Sequence, residues 1–136
     1  MRFKISTQGL NDIIDITPLV GKIVKEAAVK EGVAVIFAPG STCAITAIEY
    51  EPGLIDDLKI ALEKIAPQNA KYSHNSAWGD GNGYAHIRSA FLKPSLAVPV
   101  EGGKLVLGAW QQIVFIDFDN RPREREIIVK IIEGKL

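Results

Sequence analysis

Val33-Ala34-Val35-Ile36-Phe37-Ala38-Pro39-Gly40-Ser41-Thr42-Cys43-Ala44-Ile45-Thr46-Ala47-Ile48-Glu49 is the stretch on which the fold turns. Val33 to Ala38 is β-branched and apolar on both faces, the composition of a central strand. Pro39-Gly40-Ser41 is a turn, and Thr42 to Glu49, rich in Thr, Ile and Ala, reads as another strand.

Toward the N-terminus, Phe3, Ile5 and Thr7 alternate with Lys4 and Ser6, the period of a half-buried strand. Gly9 and Asn11 break that pattern, and Ile13, Ile14 and Ile16 predict a second strand returning as a hairpin. Thr17-Pro18 starts a helix, with a hydroxyl placed to cap and proline at the first helical position. Val20, Ile23, Val24, Ala27 and Ala28 follow at helical spacing, and Gly32 is the expected stop.

Toward the C-terminus, Glu51-Pro52-Gly53 opens a second helix with Leu54, Leu58, Leu62 and Ile65 along one face, ended by Pro67. After the polar stretch Tyr72–Ser89, whose second half reads as a short helix through Phe91, Leu96, Val98 and Val100 form a short strand. Glu101-Gly102-Gly103-Lys104 is a hairpin turn into Leu105, Val106 and Leu107. Gln112 to Phe118 and Glu126 to Ile132 are two more strands, joined by the turn Asp119-Asn120-Arg121-Pro122. The pattern predicts a compact α+β domain over residues 1–136, a largely antiparallel sheet with two longer helices.

Composition bounds the function. The 136 residues are 47% apolar and 24% charged, with 16 basic and 16 acidic side chains. A net charge of zero supplies no global field for nucleic acid or an anionic membrane surface, so any anion must be held locally. Cys43 is the single cysteine. No intramolecular disulfide is available to it, and with neither a signal-like nor a membrane-spanning apolar run the expectation is a soluble cytoplasmic protein.

Chemistry concentrates in Tyr72–Ser89. Both histidines, His74 and His86, lie there with Trp78, the Gly79-Asp80-Gly81-Asn82-Gly83 turn and Arg88. The two imidazoles, with Glu49 and Asp80 as nearby kinds of carboxylate, suit a metal or an acid–base pair; hydrogen bonding to backbone near a turn explains them too. Arg88, Ser89 and Lys93, after N–H groups freed by Gly81 and Gly83, suit a phosphate, whereas a solvated basic edge and a tight turn account for the same residues. Ser41, Thr42 and Cys43 carry no signature of an activated nucleophile, and a buried thiol is the simpler fate of Cys43. Trp110, beside Gln111, forms either a pocket wall or part of the core.

Four pieces, taken in order, resemble one family: Pro39-Gly40-Ser41-Thr42-Cys43-Ala44-Ile45-Thr46 with Glu49; Tyr72-Ser73-His74-Asn75; Asp80-Gly81-Asn82-Gly83-Tyr84-Ala85-His86-Ile87-Arg88-Ser89; and Pro94-Ser95 through Val98-Pro99-Val100, Gly103-Lys104-Leu105 and Leu107-Gly108-Ala109-Trp110-Gln111. The set is similar to the small YjbQ-like proteins, also called secondary thiamine-phosphate synthases. The resemblance implies a compact α+β domain assembling as a homotrimer, with a histidine-lined pocket associated with a divalent metal, Mg or Zn, or with sulfate.

The implied activity joins hydroxymethylpyrimidine pyrophosphate to thiazole phosphate with loss of pyrophosphate. The implied site residues are His74, His86 and Glu49 for catalysis or metal; Arg88, Ser89, Gly81 and Gly83 for phosphate; and Trp78, Asp80, Trp110 and Gln111 for the ligand pocket. The chain departs from the pattern at Gly40, where many members carry histidine, so one imidazole is missing from any metal site. Two readings follow: a small phosphate-ligand enzyme, or a non-catalytic trimer that binds a phosphorylated metabolite or a metal.

Overall fold

The computed structural model describes residues 1–135. In chain order the elements are β1 (Arg2–Thr7), β2 (Asp12–Asp15), α1 (Thr17–Ala27), β3 (Gly32–Phe37), β4 (Cys43–Ile48), α2 (Pro52–Ile65), α3 (Ser73–Trp78), α4 (Gly83–Leu92), β5 (Ser95–Glu101), β6 (Lys104–Leu105), β7 (Gln112–Asp117) and β8 (Arg123–Glu133). They form a mixed α+β fold in which a five-stranded sheet runs β1-β8-β3-β5-β6 and a three-stranded sheet runs β2-β7-β4. Every strand pairing is antiparallel.

The layering can be read from β7. Ile113 and Phe115 join a core with β3, β5, β8 and α1, while Val114 and Ile116 join a second core with Leu62 of α2 and Tyr84 and Ala85 of α4. Alternate residues of a strand face opposite sides, so the three-stranded sheet is a middle layer, between the large sheet with α1 and the helices α2 and α4. Both faces of β7 are therefore apolar, and all of Ile113 to Asp119 is buried.

Several local expectations are corrected. The first two strands do not form a hairpin: β1 pairs with β8 and β2 with β7, in different sheets. Between them Gly9, Leu10 and Asn11 all take positive φ, which redirects the chain from one sheet to the other. The same sheet-to-sheet step occurs at Pro39-Gly40-Ser41, since β3 and β4 belong to different sheets.

Thr17 does not cap α1. Its hydroxyl accepts from the Ile113 N–H at 2.7 Å, tying the helix to β7, and Ile16 holds the cap position without a side-chain bond. Helix α1 ends at Ala28, left-handed at φ 57°, rather than at Gly32. Gly32 instead opens β3, where any Cβ would collide with the Ile132 carbonyl oxygen. Helix α2 is capped by Glu51, whose carboxylate accepts from the N–H groups of Gly53 and Leu54 at 2.8 Å each. Those bonds hold the Glu51 carboxyl below its ordinary pKa.

Candidate functional site

Helices α3 and α4 are stapled at a glycine. The Gly83 N–H donates to Asn75 Oδ1 at 2.9 Å. A Cβ on Gly83 would stand 2.6 Å from the Tyr72 Cβ, so only glycine lets α4 begin this close to α3. Between them the chain reverses through Gly79 and Gly81, at φ 69° and 68°. This hairpin of helices puts the imidazoles of His74 and His86 face to face, ring centroids 4.2 Å apart and planes tilted by 38°.

Both rings are partly buried. Burial pushes the His86 pKa down from its ordinary value and the neighbouring His74 pushes it further, against an upward pull from Asp80 and Asp119. His74 Nδ1 is 3.5 Å from Asp80 Oδ1, near enough for charge attraction, yet it is buried without a hydrogen-bond partner. The pair therefore offers an imidazole whose protonated form is disfavoured and an unsatisfied ring nitrogen beside a half-exposed carboxylate. That is acid–base equipment. Trp78, at the end of α3, is 76% exposed and available as a flat apolar surface.

The anion ligands expected of Arg88 and Ser89 are not available. Arg88 is 2% exposed. Its Nε and Nη2 donate to the Ala66 carbonyl at 3.1 and 2.8 Å, Nη1 donates to Asn11 Oδ1 at 2.8 Å, and Nη2 also meets Glu63 at 2.7 Å. The guanidinium also lies over the Tyr84 ring, 4.9 Å from its centroid. Ser89 Oγ donates to the Cys43 carbonyl at 2.6 Å. The Gly83 N–H belongs to Asn75, and Gly81 serves the turn. The helix carries its guanidinium and hydroxyl inward because they sit on the face that packs against β4. They bolt α4 to β4 and to the end of α2.

Glu49, Trp110 and Gln111 lie away from the imidazoles. Strand β4 begins at Cys43 opposite Asp117 and ends at Ile48 opposite Gln112. Glu49 therefore follows Cys43 by six residues, roughly 20 Å at the rise of a strand. Asn82, just before α4, meets Asp119 at the Cys43 end through a 3.3 Å bond. Gln111 closes a local turn by accepting from the Gly108 N–H at 2.8 Å, and Trp110 is 75% exposed rather than in the core. The expected site residues thus divide between the two ends of β7.

Among the described residues no group of three His, Cys, Asp or Glu side chains is placed to hold a metal ion. The set His74, His86 and Glu49 does not fit a resident cation within one chain. At Gly40, a Cβ would stand 2.9 Å from Cys43 Sγ and 3.2 Å from Arg125 Nη1, so a side chain there would crowd the sulfur and meet the guanidinium.

A buried polar cluster beneath the site was not anticipated. Asp117 accepts from Arg125 at 2.7 and 2.8 Å and from the Thr7 hydroxyl at 2.6 Å. Arg125 Nη2 also donates to Thr42 Oγ1 at 2.8 Å, Thr42 donates to Asp119 at 3.2 Å, and Arg123 donates to Asp119 at 2.7 Å. Burial pushes the Asp119 carboxyl up, but bonds from the Asn120 N–H, Asn82 and Thr42 and the charge of Arg123 bring it below its ordinary value. Through Asn82 this cluster holds the start of α4. Its trace in the sequence is two carboxylates closing an apolar strand, Asp117 and Asp119, ahead of arginines two apart, Arg123 and Arg125.

The fold and site define a small α+β protein of two antiparallel sheets, with paired imidazoles on a helical hairpin over the middle sheet. Residues 1–134 match the family model described as UPF0047 protein YjbQ-like, and the chain belongs to that family. A UPF0047 protein of Archaeoglobus fulgidus is 38% identical over 97% of this chain and 100% of its own length. The UPF0047 protein YugU of Bacillus subtilis is 32% identical over 95% of this chain and 96% of its own. Among solved structures, a YbjQ-like protein of unknown function from Sulfolobus solfataricus superposes with a TM-score of 0.90 at 33% identity, covering 98% and 97% of the two chains. A YjbQ/UPF0047-family protein of Clostridium acetobutylicum gives 0.89 at 38% identity, covering 97% and 99%.

Proposed function

We propose that the chain is an acid–base enzyme acting on a small metabolite, with the His74–His86 pair as its proton-transfer group. The observation that carries this reading is the 4.2 Å approach of the two rings beside Asp80, with His74 Nδ1 buried and unpartnered. Like-charge repulsion at this distance disfavours two imidazolium ions, so the pair works with one proton. The reaction implied by the family resemblance fits that equipment. The thiazole nitrogen lone pair attacks the pyrimidine methylene carbon, the bond from that carbon to the pyrophosphate oxygen breaks, and the pair donates its proton to the departing pyrophosphate. No protein nucleophile is required.

The homotrimer belongs to the same proposal. Exposed Ile60, Ile65, Phe91 and Trp110 supply apolar surface for self-association. A neighbouring copy is the means by which Glu49, Trp110 and Gln111 would reach the imidazoles. Cytoplasmic residence is part of this reading too, supported by the free thiol of Cys43; no helix is long and apolar enough to cross a membrane.

One observation favours a second reading, a binding module without turnover. The commitment of Arg88 and Ser89 to protein acceptors leaves a pyrophosphate leaving group without the cation expected for it. Thiamine phosphate formation from the two substrates, assayed with wild type, His74→Gln and His86→Gln, separates the two. The enzyme reading expects loss of about 10²–10⁴-fold in rate in either variant. Substrate binding with no turnover in wild type establishes the module instead.

A further inference from the structure

Beside the turn that carries the chain from β3 to β4 lies a cleft of about 200 Å³, lined by Pro39, Gly40 and Cys43 on one side and Arg123 and Arg125 on the other. Arg125 is 8% exposed. Its Nε and Nη2 are spent on Asp117 and Thr42, while its Nη1 makes no hydrogen bond among the described residues. That nitrogen faces Gly40, 3.2 Å from where a Cβ would be. A guanidinium carries five N–H donors, and the two on Nη1 are open to the cleft and bonded to no described residue, free to donate to a bound oxygen. Arg123 gives one bond to Asp119 and keeps a third of its side chain exposed at the same cleft.

The surrounding charge limits what fits. Asp117 and Asp119 already balance Arg125 and Arg123. Glu124 and Glu126 also line the cleft and pair outward with Lys4 and Arg2. The cleft therefore presents unspent donors without a surplus of positive charge. A flat, singly charged oxyanion matches that better than a dianion. We propose that this cleft is a binding site for a small carboxylate, held by Arg125 Nη1 and the free N–H groups of Arg123, and separate from the imidazole pair.

Titration of ¹⁵N-labelled protein with sodium acetate at constant ionic strength, following the Arg125 Nε–H signal, tests this directly. Wild type should show a saturable shift, and inorganic phosphate should bind more weakly. Cys43→Ala should bind acetate at least as tightly, because it widens the cleft and keeps both guanidinium groups. Gly40→Ala combined with Cys43→Ala removes the 2.9 Å contact with sulfur and places a methyl over Nη1. It should weaken acetate by at least about tenfold, the loss of one charge-assisted hydrogen bond. Absence of a saturable shift in wild type would mean that solvent satisfies Nη1 and would overturn the proposal, whether or not the double variant folds. Equal affinity in a folded double variant would move the anion elsewhere, and tighter phosphate than acetate would overturn the single-charge assignment.

Discussion

His86 and Arg88 stand two residues apart on one helix and have opposite fates. Arg88 points inward, with its nitrogens bonded to Ala66, Asn11 and Glu63. His86 points toward His74, half-buried, its pKa pushed down by burial and by that neighbour. A buried charged group with all three nitrogens engaged has little left to offer a ligand. A ring packed against another ring, with a nitrogen of the pair unpartnered, retains capacity for proton transfer. In this helix, then, the bonded guanidinium belongs to the frame, and the incompletely partnered ring pair is the group to which the proposed chemistry is assigned.

The strongest way to break that contrast is at the most saturated group. Asp117 is fully buried and bidentate to Arg125. Asp117→Ala leaves the Arg125 charge buried without its partner, and should cost about 3–5 kcal/mol of stability in urea unfolding. A loss below about 1 kcal/mol would show that the cluster is solvated and would remove the distinction between frame and site. Arg88 comes next. Arg88→Met keeps much of the packing but orphans the Ala66 carbonyl and Asn11, at a cost of about 1–3 kcal/mol. Pyrophosphate affinity should be unchanged in that variant. A weakened affinity with intact stability would reverse the roles assigned here.

The contrast also explains what the sequence made legible. Periodicity exposed the strands, because β7 is apolar with both faces buried and β1 and β5 alternate; β3, apolar on both faces, buries only the Ala34 and Ile36 side and leaves Phe37 exposed. It also exposed both long helices. Pairing was less accessible: β1 and β2 are adjacent in the chain, yet each pairs far away in sequence, and only the positive φ angles at Gly9, Leu10 and Asn11 separate them. Within the site, the nearness of His74 to His86 followed from one short segment. The inward turn of Arg88 did not, because it depends on acceptors at residues 11, 63 and 66 that no local pattern connects to residue 88. Trp110 shows the converse. Its apolar character suggested core or pocket, but the turn closed by Gln111 holds it in solvent.

The unsaturated side of the comparison is sharpened by pH. His86 has a folded pKa below its ordinary value of 6.5, chiefly through burial and then through His74. The unfolded chain therefore binds this proton more readily, and stability falls as pH drops below about 6.5 until the folded ring is also protonated. Above that value its contribution is fully present. His86→Gln should flatten this part of the stability–pH curve, and imidazole NMR titration of His74→Gln should move the remaining His86 pKa upward. An unchanged His86 titration in that variant would mean that burial alone sets it and that the rings do not act as a pair.

The smallest effect belongs to the exposed indoles. Trp78 and Trp110 are 76% and 75% exposed, so neither buries the area that makes an aromatic side chain costly to remove. Trp78→Ala and Trp110→Ala should each change the unfolding free energy of the isolated chain by no more than about 0.5 kcal/mol, the range for surface positions. Unfolding measured at the lowest workable protein concentration isolates that effect from association. The same variants then report on assembly. If the exposed apolar surface is covered by a second copy, Trp110→Ala should leave this low-concentration value unchanged and shift the assembly equilibrium in sedimentation toward smaller species. A loss of several kcal/mol at low concentration would place the indole among the packed residues of the frame, and the contrast drawn from Arg88 and His86 would no longer extend to the far end of β7.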